Sequence, residues 1–179
     1  MDIKFLVALL PIIFMLHDFE EIIMFKPWLM KNRAEVRRRF SAVDRVLTKS
    51  HDHLSTSAFA VAVLHELLII AVITYASLFS NTYHWWFGAF AAFSLHLLVH
   101  IAQWIIFGKY VPFVITSIVL LPYCVFTLTQ FLQVTSMTPA QMALWAGIGI
   151  AITLASFPSA FFWAGKFEAW KSAYLSPTL

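Results

Sequence analysis

Apolar residues gather into five long runs, at about residues 3–25, 57–79, 84–107, 111–133 and 139–164. Each run holds roughly the 20 residues that a helix needs to cross ~30 Å of hydrocarbon. The breaks after the second, third and fourth runs are short: Ser80-Asn81-Thr82, Gly108-Lys109 and Ser136-Met137-Thr138-Pro139. Connections of this length predict consecutive helices that lie antiparallel as neighbours. The pattern therefore predicts an all-α fold, a polytopic transmembrane bundle of five helices forming one domain, with Pro11 kinking the first helix. A signal peptide is the other reading of the first run. It is set aside because the apolar residues lead into His17 to Glu21, not into a small-residue cleavage site.

One long polar stretch, residues 26–55, follows the first run. It carries Lys26, Lys31, Arg33, Arg37, Arg38, Arg39, Arg45 and Lys49, most of the 12 basic residues in the chain. Val36, Phe40, Val43 and Leu47 recur within it at helical spacing. Two compatible readings follow: an amphipathic helix lying on an anionic membrane surface, or a solvated helix packed on the bundle. Lys109, Lys166 and Lys171 fall on the same side of a five-span bundle, and the opposite connections, 80–83 and 134–138, carry no Lys or Arg. The positive-inside rule then predicts an outside N-terminus and a cytoplasmic C-terminus.

Composition excludes a soluble domain. Charged residues make up 12% of the chain, against roughly 25% in soluble domains, and the mean hydropathy is +0.80. The net charge of +3 is accounted for by the basic segment and implies no nucleic-acid partner. Cys124 is the single cysteine, which excludes an internal disulfide and a cysteine-based zinc site.

The chemistry lies where ionisable side chains interrupt apolar runs. In Leu16-His17-Asp18-Phe19-Glu20-Glu21-Ile22, taking His17 as 0°, Glu20 falls at about −60°, Glu21 at about +40° and Asp18 at about +100° around a helix. All four share one side, and each acidic residue at a membrane helix centre costs about 2.5–3.5 kcal/mol. The second run contributes His65-Glu66, and the third contributes His96, His100 and Gln103 on one stripe, with Ala89 and Ala92 permitting a close helix neighbour. Counting from the cytoplasmic ends at 1.5 Å per residue puts His17 and His65 at about 12 Å, His100 at about 10 Å and His96 at about 16 Å. Three helices of alternating direction thus deliver their ionisable groups to one layer. Asp18, at the edge of the arc, reads as a partner orienting an imidazole. His51 and His53 read as solvated, and His84, beside Trp85 and Trp86, reads as an interfacial anchor.

Imidazoles and carboxylates in one layer suit zinc, iron, manganese or nickel. The expected metal ligands are His17, Glu21, His65, His96 and His100. Glu20 and Glu66 are the expected catalytic residues. The expected cofactor is a divalent metal, zinc first and iron as the alternative. The fourth and fifth runs read as scaffold and substrate wall; the fourth has Thr116, Ser117, Pro122, Tyr123 and Thr127, and Gly147, Gly149, Ala151, Ala155, Ser156 and Ser159 give the fifth a small-residue face. Trp163 and Trp170 mark an interface, and Glu168 reads as surface charge.

The segment His17-Asp18-Phe19-Glu20-Glu21 is similar to the signature of the HXXEE family of small bacterial integral membrane proteins. His65-Glu66 and the histidines of the third run look like that family's other polar positions, so the resemblance covers roughly residues 10–165. It implies a membrane metal site in a bacterial inner membrane and names no activity.

The function expected from the residues is a metal-dependent membrane hydrolase that turns metal-activated water on a lipid or other apolar substrate. A di-iron oxygenase or desaturase uses the same residue types. A metal-ion or proton transporter would use them as a transit site, although the second and third runs lack the Gly and Pro interruptions of broken helices. A haem protein with paired histidines would leave the glutamates unexplained.

Overall fold

The computed structural model describes residues 2–42, 44, 45 and 54–176. Val43, Leu47, Lys49, His51 and His53, which the sequence reading assigns to the basic segment, lie outside the described residues. Among the described residues the chain forms five helices: α1 (Ile3–Arg39), α2 (Thr56–Ser80), α3 (His84–Phe107), α4 (Val114–Val134) and α5 (Pro139–Leu175). Helices α2 to α5 are long and apolar enough to cross a membrane, as in an integral multi-pass membrane protein. In α1 the apolar run meets Asp18, Glu20 and Glu21.

The boundaries have local causes. Asp2 accepts a hydrogen bond from the Lys4 backbone N–H at the start of α1, and Ser55 accepts one from Ala58 at the start of α2. Asn81 ends α2 in the left-handed conformation, which Asn tolerates better than most residues. Gly108 ends α3 in the same way, at φ 77°. Thr138 and Gln141 form a capping box at α5, with Pro139 in its first turn.

Two elements differ from their predicted limits. α1 continues through Pro27 to Arg39, so the first part of the basic segment is an extension of the same helix. That extension is held by the α3–α4 connection. Trp28 Nε1 donates to the Tyr110 carbonyl at 2.7 Å, and Arg39 donates to the carbonyls of Phe107 and Ile106 at 2.8 and 3.0 Å. Val36 packs with Phe107, Val111 and Phe113. Outside the membrane, hydrogen bonds from Lys109 and then Arg39 hold the Glu35 carboxyl below its usual range. The second difference is α4, which begins at Val114 rather than near 111. Val111, Pro112 and Phe113 are buried in an irregular segment. Such backbone is tolerated at membrane depth only where protein covers it.

The expectation that consecutive helices are neighbours holds from α1 to α4. α5 departs from it, packing on α3 and α2. The reason is steric. Gly88 and Gly149 bring the two backbones together so closely that a Cβ on Gly149 would stand 2.0 Å from the Gly88 carbonyl oxygen. Near the middle of α5, Ala160 and Ala164 pack on Ala58 and Ala62 of α2. Of the predicted small-residue face, Gly149 and Ser156 are buried, whereas Gly147, Ala151, Ala155 and Ser159 are exposed. Glu168 does more than carry surface charge: it accepts hydrogen bonds from the Ser55 N–H and hydroxyl at the start of α2, and from Lys171. Trp86, grouped by sequence with the interfacial aromatics, is fully buried and stacks on Phe90 with centroids 5.0 Å apart.

The glycine contact yields a paired test. Gly149→Ala must force α3 and α5 apart and is expected to destabilise the protein by about 1–3 kcal/mol or more. Gly147→Ala meets nothing within 4 Å and should hold or raise stability. Thermal unfolding of both variants in detergent measures the difference; equal midpoints would refute the contact.

Candidate metal centre

The motif on α1 spreads over three neighbours. Its side chains differ in angle by steps of up to about 100°, and each step reaches a different helix. Glu20 turns to α4, His17 and Glu21 turn to α3, and Asp18 faces a cavity bounded by α2, α3 and α5.

His17, Glu21, His96 and His100 come together, each offering one ligand atom, with all four atoms within 4.8 Å of one another. His96 Nε2 and His100 Nε2 are 2.9 Å apart. Glu21 Oε1 lies 3.3 Å from His100 Nε2 and 4.0 Å from His96 Nε2. The His17 ring stands edge-on to His96, with centroids 5.1 Å apart. The i, i+4 spacing of His96 and His100 puts both imidazoles on one helix face. His17 at 0% and His100 at 6% exposure are shielded, while Glu21 and His96 line the neighbouring cavity.

The other ring nitrogens of His17 and His100 are held from behind. Glu20 accepts hydrogen bonds from the Tyr110 hydroxyl at 2.9 Å, the Thr116 N–H at 2.8 Å and the Thr116 hydroxyl at 2.6 Å. The Thr116 hydrogen is committed to Glu20, so His17 Nδ1, 3.0 Å from Thr116 Oγ1, must be the donor of that bond. His17 Nε2 then carries a lone pair, and among the described residues it is buried without a hydrogen-bond partner. His100 Nδ1 likewise donates to Gln103 Oε1 at 2.9 Å, which frees its Nε2. Two imidazole nitrogens 2.9 Å apart repel unless a proton or a cation lies between them. Histidines fixed through one nitrogen to present the other are the arrangement found around bound metals.

The donor set suits one divalent ion of the zinc type, with three imidazoles and one carboxylate. The closest pairs already stand near the ~3.3 Å that ligands with 2.0–2.1 Å bonds keep around a tetrahedral ion.

The remaining predicted residues lie elsewhere. His65 stays out of the cluster, with Nε2 3.2 Å from Ser159 Oγ and Nδ1 3.3 Å from Glu66 Oε1. Its position on α2 turns it toward α5, while α1 and α3 close the cluster. Glu66 accepts from the Ser156 hydroxyl at 2.8 Å and lines the cavity together with Asp18, Glu21 and His96. Glu20 faces away from that cavity, anchored to α4. Asp18, 4% exposed, lines the cavity and bonds no imidazole among the described residues. His84 packs against Trp145.

Sequence reasoning missed Thr116 and Tyr110 as partners of the site and did not give Gln103 its role. Gln103 was on the right stripe. Thr116 carries no signal of its own, because its contact depends on the buried segment 111–113 lifting the start of α4 to the level of His17. Phe113 anchors that lift. Its backbone is left-handed at φ 84°, and its ring lies 4.5 Å from the His100 ring. A bulky residue in that conformation is strained and persists only where its surroundings hold it.

A family model described as "protein of unknown function with HXXEE motif" matches residues 8–127. No curated protein and no solved structure matches the chain.

Metal content separates the inner set from the outer one. His96→Ala and His100→Ala should abolish stoichiometric metal in purified protein, and His65→Ala should retain it. Glu20→Gln should weaken metal affinity about 10–100-fold, the usual cost of losing a group that orients a ligand. Elemental analysis and competition with a chelator read each outcome; full retention of metal in His96→Ala and His100→Ala would refute the ligand set.

Proposed function

The chain belongs to the family of proteins of unknown function with an HXXEE motif, and from that premise we propose that it is a metal-dependent membrane hydrolase acting on a lipid or other apolar substrate. One observation carries this reading: the convergence of His17, Glu21, His96 and His100 beside an apolar cavity that a further carboxylate, Glu66, also lines.

His17, Glu21, His96 and His100 would hold the ion. When bound, a divalent ion of the zinc type supplies a lowered pKa for water, near ~7, and polarises a carbonyl. The chain's own residues do the rest. Glu66 takes the proton of the attacking water and returns it to the leaving oxygen or nitrogen. The water's oxygen ends on the acyl carbon as the original bond breaks. Ser156 fixes one Glu66 oxygen and His65 lies against the other, so the carboxylate is held in orientation. Glu20, expected from the sequence to share the catalytic role, acts in this reading as a positioning residue through Thr116 and His17. The buried walls around His17 exclude bulk water and strengthen each electrostatic contact inside.

The orientation of the bundle belongs to the same proposal. Lys109 pairs with Glu35, and Lys171 with Glu168; these groups and Arg37 to Arg39 form one basic end. The positive-inside rule assigns that end to the cytoplasm.

Two measurements test the proposal. Purified protein should carry one zinc per chain, and Glu66→Gln should keep it while lowering turnover of long-chain esters or amides by about 10²–10⁴-fold. Iron in place of zinc, or an active Glu66→Gln variant, would sink the hydrolytic reading. For orientation, a cysteine placed at Arg38 should react with an impermeant label from the cytoplasmic side, and one at Asn81 from the opposite side. Reversed labelling would overturn it.

A further inference from the structure

The cavity beside the cluster is strongly polarised along its length. Its volume is about 130 Å³, and it is bounded by α1, α2, α3 and α5. Asp18, Glu21, Glu66 and His96 line one end, and Trp85 and Trp145 the other. The two indoles meet edge to face with centroids 4.7 Å apart. Between the ends the wall is almost wholly apolar, with isoleucines of α2 and α5 facing alanines of α3. Ile152 and Phe157 line the cavity and are 36% and 38% exposed, so the slot is not sealed on the α5 side.

From Trp85 to His96 along α3 the slot runs about 16 Å at 1.5 Å per residue. That is about half of the ~30 Å hydrocarbon core, the depth of one leaflet's chains. The polar end holds three carboxyl groups, those of Asp18, Glu21 and Glu66. An anionic head, whose oxygens accept and do not donate, adds one more like group to that crowd, while a neutral or cationic head brings hydrogens to it.

We propose that this slot binds a single-chain lipid with an uncharged or cationic head, lying with its polar end at Glu21, Glu66 and His96 and its hydrocarbon tail toward Trp85 and Trp145. The identification of the polar end as the reacting end rests on the proposed function; the binding and its direction rest on the cavity.

Photo-crosslinking of the full chain in nanodiscs tests it, with two long-chain alcohols that carry a diazirine either at the chain end or beside the hydroxyl. The chain-end probe should label peptides containing Trp85 and Trp145, and the head-side probe those containing Glu66 and His96. Excess long-chain alcohol or amine should compete, and the fatty acid and a diacyl phospholipid should not. Ile148→Trp and, independently, Ile73→Trp fill the slot from α5 and α2; either should cut labelling about tenfold with metal content unchanged. Reversed labelling, labelling indifferent to both variants, or equal competition by the fatty acid would each overturn the proposal. Normal slot labelling in protein that binds no metal would overturn the hydrolase reading and leave this one standing. Bound metal without slot labelling would do the opposite.

Discussion

The carboxylate of Glu20 is the contact on which the site depends. α4 begins at an irregular, buried turn whose N-cap position, Phe113, supplies no side-chain cap. The Val114 N–H bonds back to the Val111 carbonyl, but the Thr116 N–H would stand unpaired in an apolar interior, at a cost of several kcal/mol. Glu20 reaches across from α1 and accepts the Thr116 N–H. A negative charge at the positive end of a helix is favourable in itself, and this one also takes the Thr116 hydroxyl and so decides which nitrogen of His17 is free. Helix capping, the join between α1 and α4, and the protonation of one ligand are therefore a single interaction.

The architecture around the site follows from where backbones can touch. α5 meets α3 through Gly88 and Gly149 near its start and meets α2 through alanines near its middle. A helix fixed to one neighbour high and to another low crosses the space between them obliquely. The slot is what remains of that space, and the same crossing sets its apolar walls and its polar floor.

Much of this was legible in the chain. The angles of His17 and Glu21 and the i, i+4 step of His96 and His100 are local geometry, so a helical wheel and a depth count bring these four together. Depth alone could not separate His65, which shares the layer and turns to another neighbour, because rotation of α2 about its axis is set by its contacts with α5. The roles of Glu20 and Thr116 were hidden for a different reason: segment 108–113 rises into the bundle, and a count that assumes straight helices places the start of α4 too low. The extension of α1 to Arg39 was obscured by Pro27, whose penalty is outweighed by contacts to the α3–α4 connection that lie far away in sequence.

The small-residue contacts of α5 with α3 and α2 contain no ionisable group. Gly88, Gly149, Ala58, Ala62, Ala160 and Ala164 meet by shape and dispersion alone. Their strength is independent of pH, of salt and of whether a cation sits among the histidines. The centre can gain or lose protons and ions while the walls beside it keep their spacing, which divides the protein into an electrically variable floor and a mechanically constant sleeve.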